Sequence, residues 1–351
     1  MIHPWLEPAW ARLVGLQARL PHALLFVGAP GLGKRDLAEA LGARLLCDAP
    51  LVNGHACGHC VACQWRLSGN HPDLYRVVPA AAADQSEAGE GGDAASEGGS
   101  GKAKSSQILI DQIRELQAAL SVTGHHGSQR VVILEPAEAM NAFTANALLK
   151  LLEEPPVGCT FLLVSSAPRK LLPTIRSRCQ QWSIPRPDAA TLGRWQVAEG
   201  RSLDALLALS GGIPLAATRL AEQGGAALLE RFVRDVAASD PDMLKLAGQW
   251  EVWLKSKEAL AAGFGLTSLV DWMQRWVADL AALRLGGRVR FFPAQERVLS
   301  ALASRSSVAA ASNCYNELAQ IRRVAAHPLN LRLFLEDMLM RYARAVRGAR
   351  T

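Results

Sequence analysis

No apolar run in this 351-residue sequence approaches the ~20 residues needed to span a bilayer. The opening Met1-Ile2-His3-Pro4-Trp5 lacks the pattern of an export signal. No membrane role is expected, and the expected location is cytoplasmic. Charge of one sign is not in large excess either. The 38 Lys and Arg residues against 32 Asp and Glu leave a net +6. That balance is compatible with nucleic acid or an acidic protein as partner, and it establishes neither. One tract lacks large apolar side chains altogether. Pro79 to Lys104 is Ala, Gly and Ser with Asp84, Glu87, Glu90, Asp93 and Glu97. It cannot bury enough surface to offset the entropy of ordering, so 79–104 reads as a disordered insertion, most simply a tolerated loop. Outside it, half of the residues are hydrophobic, and the length predicts two or three domains.

The most informative stretch is Leu24-Leu25-Phe26-Val27-Gly28-Ala29-Pro30-Gly31-Leu32-Gly33-Lys34-Arg35. An apolar strand runs into a glycine-rich turn and then a helix beginning near Asp36, the layout of a phosphate-binding P-loop. Gly28, Gly31 and Gly33 would let backbone N–H groups curl around a polyphosphate, and Lys34 would reach its outer phosphates. The next position needs a Ser or Thr hydroxyl to hold Mg²⁺, and it is Arg35. A guanidinium cannot ligate a metal and brings positive charge to the place a cation would take. The loop reads as broken at its metal step, and the sequence leaves open whether Lys34 holds a nucleotide without one.

Of the seven cysteines, Cys159, Cys179 and Cys314 stand alone and read as buried thiols. The other four are close in sequence: Cys47, then Cys57-x-x-Cys60-x-x-Cys63. Four thiolates in one short knuckle compose a tetrahedral structural zinc site. Two disulfides are the competing reading, disfavoured in a reducing compartment. His55 and His59 could ligate, but four thiolates already fill a tetrahedron.

Beyond the knuckle, His71–Val78 reads as a strand, and Ile108–Leu120 as a short strand followed by an amphipathic helix. Arg130–Leu134 is a buried strand ending in Glu135-Pro136. A helix from Asn141 to Leu152 stops before Pro155-Pro156, and Thr160–Ser166 is a third core strand. Strands alternating with helices at these lengths imply a parallel sheet covered on both faces. After Pro187 the strands largely cease. Short helices surround Gly211-Gly212-Ile213-Pro214, and long amphipathic helices fill the sequence from about 226 onward.

A P-loop, a four-cysteine knuckle, Asn146-Ala147-Leu148-Leu149-Lys150-Leu151-Leu152-Glu153-Glu154-Pro155-Pro156 and Ser177-Arg178-Cys179 occur in this order. The set resembles the bacterial clamp-loader AAA+ family over nearly the whole chain outside 79–104. The resemblance implies an α/β P-loop AAA+ domain over 1–186, carrying the zinc knuckle at 47–63. It further implies a small helical lid over 187–225 and an all-α collar domain over 226–351. Hydrolysing gamma/tau members keep a hydroxyl after the lysine, an Asp-Glu pair and a sensor arginine. Here Arg35, Glu135-Pro136 and Pro214 stand in those places, which implies a subunit with no ATPase activity of its own. Ser177-Arg178-Cys179 resembles the motif whose arginine reaches a neighbour's γ-phosphate. Arg176 is the reserve candidate, and a plain surface arginine is the alternative. The implied partners are the gamma/tau and delta subunits, the beta sliding clamp, and primer–template DNA within the DNA polymerase III holoenzyme. Two rival readings stand beside this one: a hydrolysing gamma/tau-like subunit, and a zinc-dependent nucleic-acid-binding protein with a vestigial P-loop.

Overall fold

The computed structural model describes residues 2–16, 19–81, 105–121, 129–200, 202–238, 242–325 and 330–347. Contacts divide the chain into two units, Met1–Pro187 and Asp188–Thr351. Five parallel strands build the first: β1 (Ala23–Val27), β2 (Leu74–Val77), β3 (Arg130–Leu134), β4 (Cys159–Ser165) and β5 (Gln180–Ser183), in the order β2-β3-β4-β1-β5. The three central strands are buried at every position. That is why their sequences are continuous apolar runs rather than alternating ones: both faces of the sheet are covered.

Strand periodicity distributes the cover. Leu25, Val27, Val132, Leu134, Phe161 and Leu163 share a core with α4 (Ile110–Ser121), α5 (Ala142–Glu153) and α6 (Pro173–Arg178). Ile113, Leu116, Leu148, Leu152 and Ile175 fill it from the helical side. The intervening residues Val131, Ile133 and Leu162 face α2 (Lys34–Leu46), where Gly42 permits close approach. A Cβ at Gly42 would stand 3.2 Å from Val131 Cγ1. Ahead of β1, a 3₁₀ turn at Pro4–Leu6 leads into α1 (Glu7–Leu16), and α3 (Val61–Leu67) belongs to the cysteine knuckle.

Three details differ from the sequence reading. The short strand expected near Ile108 is a single bridge to Met140. The P-loop helix starts at Lys34 rather than near Asp36. The edge strand β5 went unread because only Trp182 of its four residues is buried, which leaves a polar signature. Of the insertion expected at 79–104, Pro79–Ala81 is described: Ala80 and Ala81 are helical, and the Ala81 amide donates to the Ser105 carbonyl at 3.1 Å. The remainder lies outside the described residues.

The second unit is helical among its described residues. It begins with α7 (Ala189–Glu199), α8 (Asp204–Leu209) and α9 (Pro214–Glu222). There follow α10 (Gly225–Val236), α11 (Met243–Leu254), α12 (Lys257–Ala261), α13 (Leu266–Arg284), α14 (Glu296–Arg305), α15 (Val308–Val324) and α16 (Leu331–Arg347). The amphipathic helices bury an aromatic core, in which Phe232 is in ring contact with Trp250, Trp272, Trp276 and Phe292, and Trp276 with Phe292. Asp279, buried beneath them, accepts the amides of Arg290, Phe291 and Phe292 and so fixes the loop after α13. No described helix is long and apolar enough to cross a membrane.

Candidate functional site

β1, paired between β4 and the edge strand β5, delivers the P-loop. Gly28 has no room for a side chain, since a Cβ would meet the Ile184 carbonyl at 2.9 Å. Gly31 and Gly33 take left-handed φ of 87° and 78°, open to glycine at no steric cost. Lys34 is the first residue of α2 and only 5% exposed. Its Nζ donates to the Ala29 carbonyl at 2.8 Å and to Ser166 Oγ at 3.0 Å, at the end of β4. Burial pulls this amine below its ordinary pKa, while Glu135 and Glu138 oppose the shift. Glu138 Oε1 in turn accepts the amides of Ser166 at 2.9 Å and Ala167 at 3.1 Å. Lysine, serine and glutamate form one network within the chain.

Arg35 lies where the sequence reading placed the lost metal ligand. Its Nε is 3.4 Å from Glu135 Oε2. Burial raises the Glu135 carboxyl, and Arg35 and Lys34 pull it back down. The surviving acid therefore faces a guanidinium, and Pro136 beside it offers no carboxylate. The start of the chain covers the loop from above. His3 Nε2 is 3.0 Å from Asp36 Oδ2, and this hydrogen bond leads the lowering of the Asp36 carboxyl. His3 also stacks on Trp5 at 4.7 Å, whose Nε1 donates to the Leu32 carbonyl at 3.0 Å. Sequence reasoning named Lys34 and the glycines but missed His3, Trp5, Glu138 and Ser166, whose roles depend on which segments meet.

The four knuckle cysteines come together, with all four Sγ atoms within 4.8 Å of one another. Cys47 caps α2, Cys60 caps α3, and Cys63 lies inside α3. Cys47 and Cys60 sulfurs are 3.9 Å apart and Cys57 and Cys63 sulfurs 4.0 Å. A disulfide needs about 2.05 Å, whereas four thiolates at about 2.3 Å from one tetrahedral zinc lie about 3.8 Å apart. The spacing fits a metal and excludes two disulfides. Backbone amides support it, with Cys57 N donating to Cys47 Sγ and Cys60 N to Cys57 Sγ, each at 3.3 Å. The amides of His59 and Cys60 pull the Cys57 thiol down to about 6, while burial pushes Cys63 up to about 12. Neither histidine joins: His55 stacks on Trp10 at 4.8 Å, and His59 Nδ1 is 3.0 Å from the Cys57 carbonyl.

Arg178 ends α6 and is ion-paired with Glu153, the last residue of α5. Its side chain stays 35% exposed. Arg176 differs, because its Nε is buried without a hydrogen-bond partner.

A family profile described as "DNA polymerase III, delta subunit" matches residues 14–188. DNA polymerase III subunit delta' of Pseudomonas aeruginosa is 34% identical over 351 residues, covering 97% of both chains. The chain belongs to the DNA polymerase III subunit delta' family. The delta' protein of Escherichia coli K12 is 35% identical over 71% of this chain and 68% of its own. The Bacillus subtilis subunit tau is 30% identical over 51% of this chain and 27% of its own. Among solved structures, a DNA polymerase III gamma subunit-related protein from Thermotoga maritima is 18% identical, with a TM-score of 0.44 and coverage of 95% and 97%. Within the delta' family, this chain carries its P-loop lysine and its four-cysteine cluster in one unit, joined by a single helix.

Proposed function

We propose that this chain is a non-hydrolysing clamp-loader subunit of the DNA polymerase III holoenzyme. It helps assemble the beta sliding clamp on primer–template DNA and donates Arg178 in trans to the ATP site of a neighbouring gamma/tau subunit. The observation that carries the reading is Arg35 facing Glu135 where a nucleotide-bound metal would sit. With Lys34 bonded to Ala29 and Ser166, both cations of the loop already have partners within the chain. A bound nucleotide would have to displace these contacts and would still find no metal hydroxyl and no carboxylate at Pro136.

An arginine supplied from outside offers fixed donors to charge developing on phosphoryl oxygens, an effect worth orders of magnitude in rate. Arg178, partly exposed at a helix end, supports that assignment over Arg176, whose Nε is buried. The cysteine cluster holds one structural zinc. Residues 187–225 act as a lid in an AAA+ arrangement, and 226–351 as the collar through which the chain meets gamma/tau and delta. The experiment is DNA-stimulated ATPase of a loader reconstituted with gamma/tau and delta, comparing wild type with Arg178→Ala, and the isolated chain alongside. The isolated chain should be inert and Arg178→Ala should sharply lower turnover of the assembly. Turnover by the isolated chain would establish the hydrolysing gamma/tau-like reading instead.

A further inference from the structure

Arg178 is not a free surface side chain. Its Nη2 is ion-paired with Glu153 Oε1, and its Nη1 donates to the Thr174 carbonyl one turn back in α6, at 3.3 Å. The two anchors come from different elements. α5 must stop at Glu153, because Glu154 leaves the helical region and Pro155-Pro156 follow. α6 is only six residues long and is held by Ile175, which is fully buried. Glu153 is 47% exposed, and its ion-pair partner is Arg178. A guanidinium carries five N–H donors in a rigid fork. The two contacts use one N–H on each terminal nitrogen, and the other N–H of each, with that of Nε, remains for another acceptor.

We propose that Glu153 is the positioning residue for Arg178. It holds the guanidinium through Nη2 so that the remaining N–H donors are presented, already ordered, to a phosphate on a neighbouring subunit. A long arginine loses much rotamer freedom when it engages a phosphate, and ordering it beforehand removes that cost from the reaction. The pair is half in water, so its contribution to folding is small. Its effect therefore belongs in turnover rather than stability. This inference rests on the trans-arginine reading above.

The test uses the full chain in the loader reconstituted with gamma/tau and delta, with ATPase measured against ATP concentration in the presence of primed DNA. Glu153→Ala should lower kcat about tenfold and move KM for ATP by less than about twofold, the pattern of a lost transition-state contact. Glu153→Gln keeps an oxygen acceptor for Nη2 and should restore most of the rate. In an Arg178→Ala background, Glu153→Ala should do nothing further. Size-exclusion chromatography and thermal midpoints within about 2 °C of wild type establish that the variants fold and assemble.

If Arg178→Ala lowers turnover and Glu153→Ala does not, Arg178 needs no guide and the inference is overturned. A faster Glu153→Ala complex would also overturn it, by making Glu153 a competitor for the guanidinium. Additive losses in the double variant would place Glu153's effect somewhere other than Arg178. If Arg178→Ala itself leaves turnover unchanged, the trans-arginine reading fails first and the inference falls with it.

Discussion

Replacing Ile175 by alanine tests what holds α6, and with it Arg178, against the sheet. Ile175 is fully buried in the cluster that contains Leu148, Leu152 and Leu163. Removing three carbons forfeits about 2.4 kcal/mol at about 0.8 kcal/mol per methylene. The cavity of about 75 Å³ adds up to about 2 kcal/mol, at about 24 cal/mol per Å³, where the surroundings do not collapse. The expected loss is about 3–4 kcal/mol, a Tm drop of about 6–15 °C for a unit of this size. Urea titration of the purified chain measures the first quantity and calorimetry the second. Ile175→Val is the control, costing about 0.5–1.5 kcal/mol, and it should leave turnover of the assembled loader near wild type. A loss below about 1 kcal/mol for the alanine variant, or equal losses for both, would mean that α6 is held by something other than this side chain.

Lys34→Ala should destabilise the isolated chain by about 0.5–1.5 kcal/mol, because the buried lysine's hydrogen bonds to Ala29 and Ser166 are lost while both acceptors can turn to water. It should nevertheless leave ATP turnover of the assembled loader within about twofold; abolished turnover would make this loop a working nucleotide site. Thiol counting tests the knuckle. Native protein should carry about one zinc per chain, and a strong chelator should release the four clustered thiols to a colorimetric reagent at pH 8. Cys159, Cys179 and Cys314 are buried in packed cores that do not depend on the metal, so these three react only in denaturant. Metal-free protein with more than four fast thiols would contradict the assignment.

The parts legible in the sequence are those that short range determines. The glycines and Lys34 lie within seven positions of one another, and the knuckle cysteines Cys57, Cys60 and Cys63 are spaced by one helical turn. Continuous apolar runs announced β1, β3 and β4 because both faces of those strands are covered. What stayed hidden depends on strand order. Ser166 reaches Lys34 across 132 positions because β1 lies beside β4, and Glu138 reaches Ser166 across 28. Arg35 read as a lost ligand and Glu135 as a surviving acid, but their pairing appears only in the folded chain, where the start of α2 meets the end of β3. Glu153 read as a helix stop, and nothing local tied it to Arg178. His3 and Trp5 gave no signal at all, since an N-terminal histidine and tryptophan carry no periodicity that points to a loop 30 residues away.

The helix α2 starts at the P-loop lysine and its cap is the first knuckle cysteine, so two sites are threaded on one rigid rod. Each residue of an α-helix advances about 1.5 Å and turns about 100°. Deleting a single residue between Lys34 and Cys47 would therefore swing Cys47 sideways, out of reach of the other three sulfurs. Restoring it would drag Lys34 away from Ala29 and Ser166. The interval between these two residues has a fixed length, whereas the stretch from Cys47 to Cys57 can lengthen as a loop. Insertions and deletions among related chains should accumulate in that loop and be absent from the rod.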